Sequence, residues 1–344
     1  MPTSTTLPRL LLIYGGRSSE HDISVRSARE MLAAADLSKF EVVPLAVARD
    51  GVMRLGAAGA ELAEVMARGE VIRALAETRA DVVFPLLHGP WGEDGTIQGA
   101  LELAELPYVG SGVAASAVCM DKIMLKRLAQ AIGIPVVEGL DVLAGDVDED
   151  IDGLSDRIVS QVGIPCFVKP ANQGSSIGIS RVTEVSALRD ALIKARAHDP
   201  RIVVERALNV EEFEVGVLGS GDARTLVSPP GCLEIPEGQW YDFDNKYVND
   251  VVVTRVPADL PETVQQQLQG WARQIFRAAG CHGLARVDFL RDRDDGCCYL
   301  NEVNTMPGFT SISMYPRLMG ASGIQYSELV ARLCELAIAR ANTR

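Results

Sequence analysis

The apolar positions in the first third of the chain fall into short blocks separated by longer amphipathic stretches. Arg9–Tyr14 is a strand-length aliphatic run, followed by a glycine turn at Gly15-Gly16 and a helical pattern from about Ser24 to Ala35. Glu41–Ala46 and Asp81–Leu86 read as further strands, with a helix-like stretch from Ala60 to Ala76 between them. A helix is expected from about Ala114 to Ala131, ended by Gly133-Ile-Pro135. Strands alternating with helices predict a parallel sheet covered on both faces, with ligands bound beyond the carboxyl ends of the strands. The loops there are Gly15–Ser24 and His88–Thr96.

A second unit follows. Asp146–Asp156 is an acidic surface segment that opens a solvated helix, Ile164–Lys169 is a strand, Ser186–Ala197 a helix and Arg201–Glu205 another strand. Strands, a long polar stretch at Glu234–Asp250, a helix at Glu262–Ala279 and a terminal helix at Tyr326–Asn342 make a third. The expected division of this α/β chain is 1–120, 121–209 and 210–344.

Two alternating runs in the third unit carry candidate chemistry. Arg286-Val-Asp288-Phe-Leu290 aims Arg286 and Asp288 to one side, and the run ending in Glu302-Val-Asn304 does the same for Glu302 and Asn304. The turn-like Arg291–Gly296 between them predicts a hairpin. Two carboxylates and an amide oxygen at one spot are hard donors suited to Mg²⁺ beside a phosphate. An ordinary acidic hairpin in water would read the same way.

Composition narrows the classes. The 344 residues are 47% hydrophobic and 23% charged, as in ordinary globular proteins. The net charge of 33 − 46 = −13 disfavours nonspecific binding to nucleic acid or anionic membranes, so an anionic substrate needs local positive charge. Leu10–Tyr14 is far too short to span a bilayer, and no signal-peptide pattern surrounds it. The 7 cysteines are scattered without a C-x-x-C pair, which suggests reduced thiols in a cytoplasmic protein.

Lys169 precedes a loop, Pro170–Gly178, whose glycines and Ser175-Ser176 could close over phosphates. The lysine comes before the glycines, so this is not a Walker A loop, and G-x-G-x-x-G is absent from it. Taken singly, the loop is equally a plain hairpin, Glu205 a buried strand end and Lys122 a surface residue.

Together the pieces resemble a known family. Gly15-Gly-Arg-Ser-Ser-Glu20-His-Asp-Ile-Ser24, Leu87-His88-Gly-Pro-Trp-Gly-Glu-Asp-Gly95 and Tyr108-Val-Gly-Ser-Gly resemble signatures of the D-alanine–D-alanine ligases of the ATP-grasp superfamily. Met120-Asp-Lys122, Val168-Lys169-Pro with Gly174–Gly178, Gly283–Asp288 and Asn301–Ser311 follow in the family's order, so the resemblance spans roughly residues 9–340.

The resemblance implies a three-part ATP-grasp fold that joins two D-alanines through an acyl phosphate, for peptidoglycan precursors. It implies that Asp288, Glu302 and Asn304 hold two Mg²⁺ or Mn²⁺ ions. Lys122, Lys169, Gly174, Ser176 and Lys246 would meet the phosphates of ATP, while Glu205, Ala207, Leu208 and Glu212 would meet its nucleoside. Glu20 would fix the first D-alanine, with Ser175 and Tyr247 linked to it. His88 would lie on the substrate side. Arg286 and the Gly308 N–H would stabilise the oxyanion, and Ser313 would bind the second carboxylate. Lys246 and Tyr247 belong to an expected lid within Glu234–Asp250.

The chain departs from some relatives at Gln173, where they carry Glu, and at His21, where they carry Arg. The lid tyrosine favours D-alanine as acceptor over the D-lactate or D-serine of resistance-type relatives. A nucleotide-binding protein without turnover and a ligase of the purine-pathway type are the other readings. The family also implies a homodimer formed through the N-terminal domain.

Overall fold

The computed structural model describes residues 7–34, 39–55, 64–66, 71–234 and 253–343. The expected lid lies outside these residues apart from Glu234, and so do Lys246 and Tyr247.

The first sheet is built on Arg9–Gly15 (β1), whose Leu10–Ile13 are fully buried. A strand apolar on both faces belongs at the centre of a sheet covered on both sides. Glu41–Val47 (β2) and Val82–Pro85 (β5) flank it in parallel. Met53–Leu55 (β3) and Glu64–Met66 (β4) extend the sheet antiparallel, in the order β4-β3-β2-β1-β5. The sheet is therefore mixed rather than wholly parallel.

The helix expected from Ala60 to Ala76 is corrected too. Among the described residues, Glu64–Met66 pairs with β3 as a strand, and a helix runs over Val71–Glu77 (α2). One face of the sheet carries Leu11, Ile13 and Val83 against Leu75 of α2 and Ile97 and Leu101 of Thr96–Leu103 (α3).

His21–Ala34 (α1) helps to cover the other face, placing Ala28 and Met31 against Leu10, Leu12, Val82 and Phe84. The same cluster includes Leu329, Val330, Leu333, Cys334 and Ala337 near the end of the chain.

The helix expected at Ala114–Ala131 divides into Val113–Met120 (α4) and Lys122–Ala131 (α5). Asp121 between them is extended and caps α5, its carboxylate accepting from the N–H groups of Ile123 and Met124.

A four-stranded antiparallel sheet follows, Gly139–Leu143 (β6), Cys166–Pro170 (β7), Ser180–Val182 (β8) and Arg201–Arg206 (β9), in the order β6-β9-β7-β8. Val142, Cys166, Val168, Ile202 and Val204 face Ile151–Gln161 (α7) and Leu188–Arg196 (α8); Ala144–Glu149 (α6) precedes these two helices. On the opposite face Val203 packs on Ile123 of α5 and Ala171.

The third sheet contains Val210–Gly219 (β10), Leu226–Val227 (β11), Gly231–Glu234 (β12), Val253–Arg255 (β13), Gly283–Asp292 (β14) and Cys298–Asn304 (β15). Its order is β13-β12-β10-β14-β15, with β11 on β10. Phe213, Val215 and Val217 pack on Leu268, Ala272, Ile275 and Phe276 of Glu262–Ala278 (α9), an i, i+4, i+7, i+8 stripe. Met314–Ala321 (α10) covers part of the other face, where the Tyr315 hydroxyl donates to the Val217 carbonyl at 3.0 Å.

Tyr326–Ala341 (α11) ends the chain. Its Arg340 donates to the Tyr108 and Gly110 carbonyls at 2.9 and 2.7 Å and lies over the Tyr108 ring, which ties the last helix to the first sheet.

Candidate active site

The expected hairpin exists, and its register builds a row of acids. Asp288 on β14 stands opposite Glu302 on β15 and opposite Glu214 on β10. One step along, Gly216, Arg286 and Asn304 align in the same way. The Arg286 guanidinium bonds Asp288 through two nitrogens at 2.8 and 2.7 Å, and its Nε lies 3.1 Å from Glu214. The Asn304 amide nitrogen donates to Asp288 at 2.9 Å.

Burial, with Glu214 and Glu302 alongside, pushes the Asp288 carboxyl well up despite Arg286. Such crowding of negative charge in low dielectric favours an added cation.

The first sheet delivers a second cluster to the same place. Ser18 donates to the His88 carbonyl at 2.7 Å and accepts from the Glu20 N–H at 3.2 Å, so loops after β1 and β5 brace each other. Gly89 permits that approach, because a Cβ there would lie 2.7 Å from the Glu20 carboxylate at a φ of +71°. His88 is buried, and its Nδ1–H donates to the Met306 carbonyl at 3.0 Å. Nε2 is buried without a hydrogen-bond partner among the described residues. Burial lowers its pKa, against the pull of Glu20, so the ring is neutral and Nε2 presents a lone pair.

Glu93 accepts from the Gly89 N–H at 2.6 Å, and burial plus the charges of Glu20 and Glu302 raise it to about 8. The acids of the first and third sheets thus share one field.

The glycine loop closes from the second unit. The Ser175 hydroxyl donates to Glu20 at 2.5 Å, and a Cβ on Gly174 would meet the same carboxylate at 3.0 Å. Ser175 and Ser176 hold φ values of 49° and 58°, a left-handed geometry that costs non-glycine residues energy. Lys122 donates to the Gln173 carbonyl at 2.6 Å, beneath this loop.

Lys169, expected beside the phosphates, lies against an acid of its own sheet. Its ammonium bonds Glu205 at 2.7 Å, and Lys126 holds the other Glu205 oxygen at 2.8 Å. Burial alone would raise the Glu205 carboxyl, but the two lysines outweigh it and hold it at about 2. Ala207 donates its N–H to the Pro165 carbonyl at 3.0 Å, and Leu208 follows at the end of β9. Glu212 shares a strand face with Glu214.

Gly308 and Ser313 lie on the loop leaving β15. A Cβ on Gly308 would stand 3.1 Å from the Ser313 hydroxyl, which itself bonds the Thr310 N–H at 3.1 Å.

Three sheets therefore bring Glu20, Ser175, His88, Arg286, Asp288, Glu302 and Asn304 together. Models of the D-ala D-ala ligase N-terminus and C-terminus match residues 9–111 and 128–335. The chain belongs to the D-alanine–D-alanine ligase family. It is 43% identical to the D-alanine–D-alanine ligase of Rhodococcus jostii over 96% of this chain and 97% of the relative.

Among solved structures it resembles the D-alanine-D-alanine ligase from Coxiella burnetii, with a TM-score of 0.81 at 32% identity over 98% and 95% of the two chains. It also resembles the VanG D-Ala:D-Ser ligase from Enterococcus faecalis, at 0.82 and 30% over 96% and 100%. The architecture is that of ATP-grasp enzymes.

Three residues of this ligase-family site escaped the sequence reading. Glu93 lies inside the expected ligand-side loop His88–Thr96. Lys126 is one helical turn beyond Lys122. Glu214 is two positions beyond Glu212 on one strand face.

Proposed function

We propose that this chain is an ATP-dependent ligase that joins two D-alanines into D-alanyl-D-alanine for peptidoglycan precursor synthesis. The carrying observation is the meeting of the Ser175–Glu20 pair and His88 with the Arg286–Asp288–Glu302 row.

In the proposed reaction a carboxylate oxygen of the first D-alanine forms a bond to the γ-phosphorus as the bond to ADP breaks. The amine of the second then attacks the acyl carbonyl, loses a proton, and phosphate departs. Glu20, held by Ser175, fits the first ammonium by charge. The Nε2 lone pair of His88 accepts from the substrate side. Arg286, pinned between Glu214 and Asp288, and the Gly308 N–H would supply donors where the oxyanion develops. Ser313 would donate its hydroxyl to the second carboxylate. Tyr247 and Lys246 are assigned to the lid, which would keep water from the mixed anhydride.

ATP is assigned to the space between the second and third sheets. Lys122, Lys169, Gly174 and Ser176 serve its phosphates, with Glu205, Ala207, Leu208 and Glu212 on the nucleoside. The crowded carboxylates fit a divalent cation: Asp288, Glu302 and Asn304 would hold two Mg²⁺ or Mn²⁺ ions. Bound there, they would neutralise charge on the phosphates of ATP. The units 1–120, 121–209 and 210–344 are the proposed modules, in a cytoplasmic homodimer. No helix among the described residues is long and apolar enough to cross a membrane.

The test is ATP-dependent phosphate release with Mg²⁺ and D-alanine, with the product weighed by mass spectrometry. D-alanyl-D-alanine is the expected product. Release only after adding D-serine or D-lactate would overturn the acceptor assignment. No phosphate release with any acceptor tested would sink the ligase reading.

A further inference from the structure

Helix α1 reaches the site twice. Glu20 precedes its first turn, and about 15 Å further along the helix, at 1.5 Å per residue, comes Glu30. One Glu30 oxygen accepts both the N–H and the hydroxyl of Ser311, at 2.9 and 3.0 Å. Its other oxygen accepts from Arg26 at 3.0 Å, one helical turn back.

Ser311 lies on the loop that carries Gly308 and Ser313. The first half of that loop is fixed by burial. Phe309 is fully buried among Phe84, Tyr315 and Tyr326, its carbonyl accepts from Tyr326 at 2.7 Å, and the Met306 carbonyl accepts from His88. At Ser311 and Ile312 that packing lapses, Ser311 being exposed and Ile312 61% exposed, while the buried Thr310 bonds Ser313 on the far side. There position must come from directional bonds, and the Glu30 carboxylate supplies a charged pair of them to one residue.

We propose that Glu30 is a positioning residue for the acceptor subsite. Through Ser311 it sets the height of Ser313, and through α1 it fixes that subsite relative to Glu20. The inference rests on the ligase reading above. It gives the two amino-acid subsites a shared rigid reference in the first sheet's helix.

The test separates the two D-alanines. Positional isotope exchange in oxygen-18-labelled ATP reports the first alone, whereas dipeptide formation reports both. Glu30→Ala is expected to raise the D-alanine concentration at half-maximal dipeptide formation by about tenfold, the loss of charge-assisted bonds at a partly exposed site. The exchange reaction and the melting temperature stay unchanged.

Glu30→Gln, which keeps an accepting oxygen, recovers most of the loss. Glu30→Asp is too short and does not. Ser311→Ala adds little on top of Glu30→Ala. Equal shifts in exchange and dipeptide formation, or no shift in either, would overturn the proposal while wild-type turnover left the ligase reading standing. A wild-type protein that forms no dipeptide would defeat both.

Discussion

Glu20 and Ser175 come from different sheets, yet the Ser175 hydroxyl donates to the Glu20 carboxylate at 2.5 Å. The glycine loop is thereby latched onto the residue assigned to the first substrate. The position of the loop and the orientation of Glu20 are thereby tied together.

Ser175→Ala should therefore act on both. The half-saturating concentrations for ATP and for the first D-alanine are expected to rise together, each by roughly tenfold, as for a lost hydrogen bond to a charged group. Isotope exchange measured against each substrate checks this. The relief of a left-handed serine is not expected, since alanine at that φ is strained as well.

Glu302→Gln removes one of the opposed carboxylates and its charge. Turnover should fall by roughly two orders of magnitude or more, with a higher Mg²⁺ requirement and an unchanged fold. A titration of activity against Mg²⁺ reads both effects. Activity like that of the wild type would remove Glu302 from the metal site.

Lys126→Met leaves Glu205 buried with Lys169 alone. Breaking one side of a buried ionic triad should cost about 3 kcal/mol of stability. Lys169 should also be drawn more tightly to Glu205, raising the half-saturating ATP concentration. Urea unfolding and ATP kinetics on the same preparation test the two consequences.

The same triad predicts a pH dependence. The Glu205 carboxyl is depressed from 4.5 to about 2, so its contribution is fully present above about pH 4.5 and disappears as pH falls toward 2. By linkage this is on the order of 3 kcal/mol. Glu205→Gln should be less stable near neutrality and should lose less stability through that acid window. Denaturation midpoints measured across the window decide it.

What could be read from sequence was what local periodicity encodes. The alternation in Arg286–Leu290 and Cys298–Asn304 places Asp288, Glu302 and Asn304 on one face, and the register bears that out. The neighbouring strand β10 is distant in the chain, and nothing local says that Glu214 will complete the row.

Lys126 was missed for a similar reason. A lysine in an amphipathic helix looks solvated until the strand carrying Glu205 is laid beside it. The break at Asp121 was hidden because apolar periodicity continues on both sides of it. Three residues are too few to show alternation, so Glu64–Met66 reads as helix until its pairing with β3 is in view. The roles of Glu20 and Ser313 came from family resemblance alone.

The Arg340 clasp and the apolar stripe of α11 have a consequence for biosynthesis. Leu10, Leu12 and Phe84 leave the ribosome long before Leu329, Val330 and Leu333, which help to bury them. Until then the nascent amino-terminal half carries an unsealed greasy surface, the condition under which partly made chains stick to one another. A stop codon ahead of α11 would therefore strip the cover from the opposite end of the polypeptide.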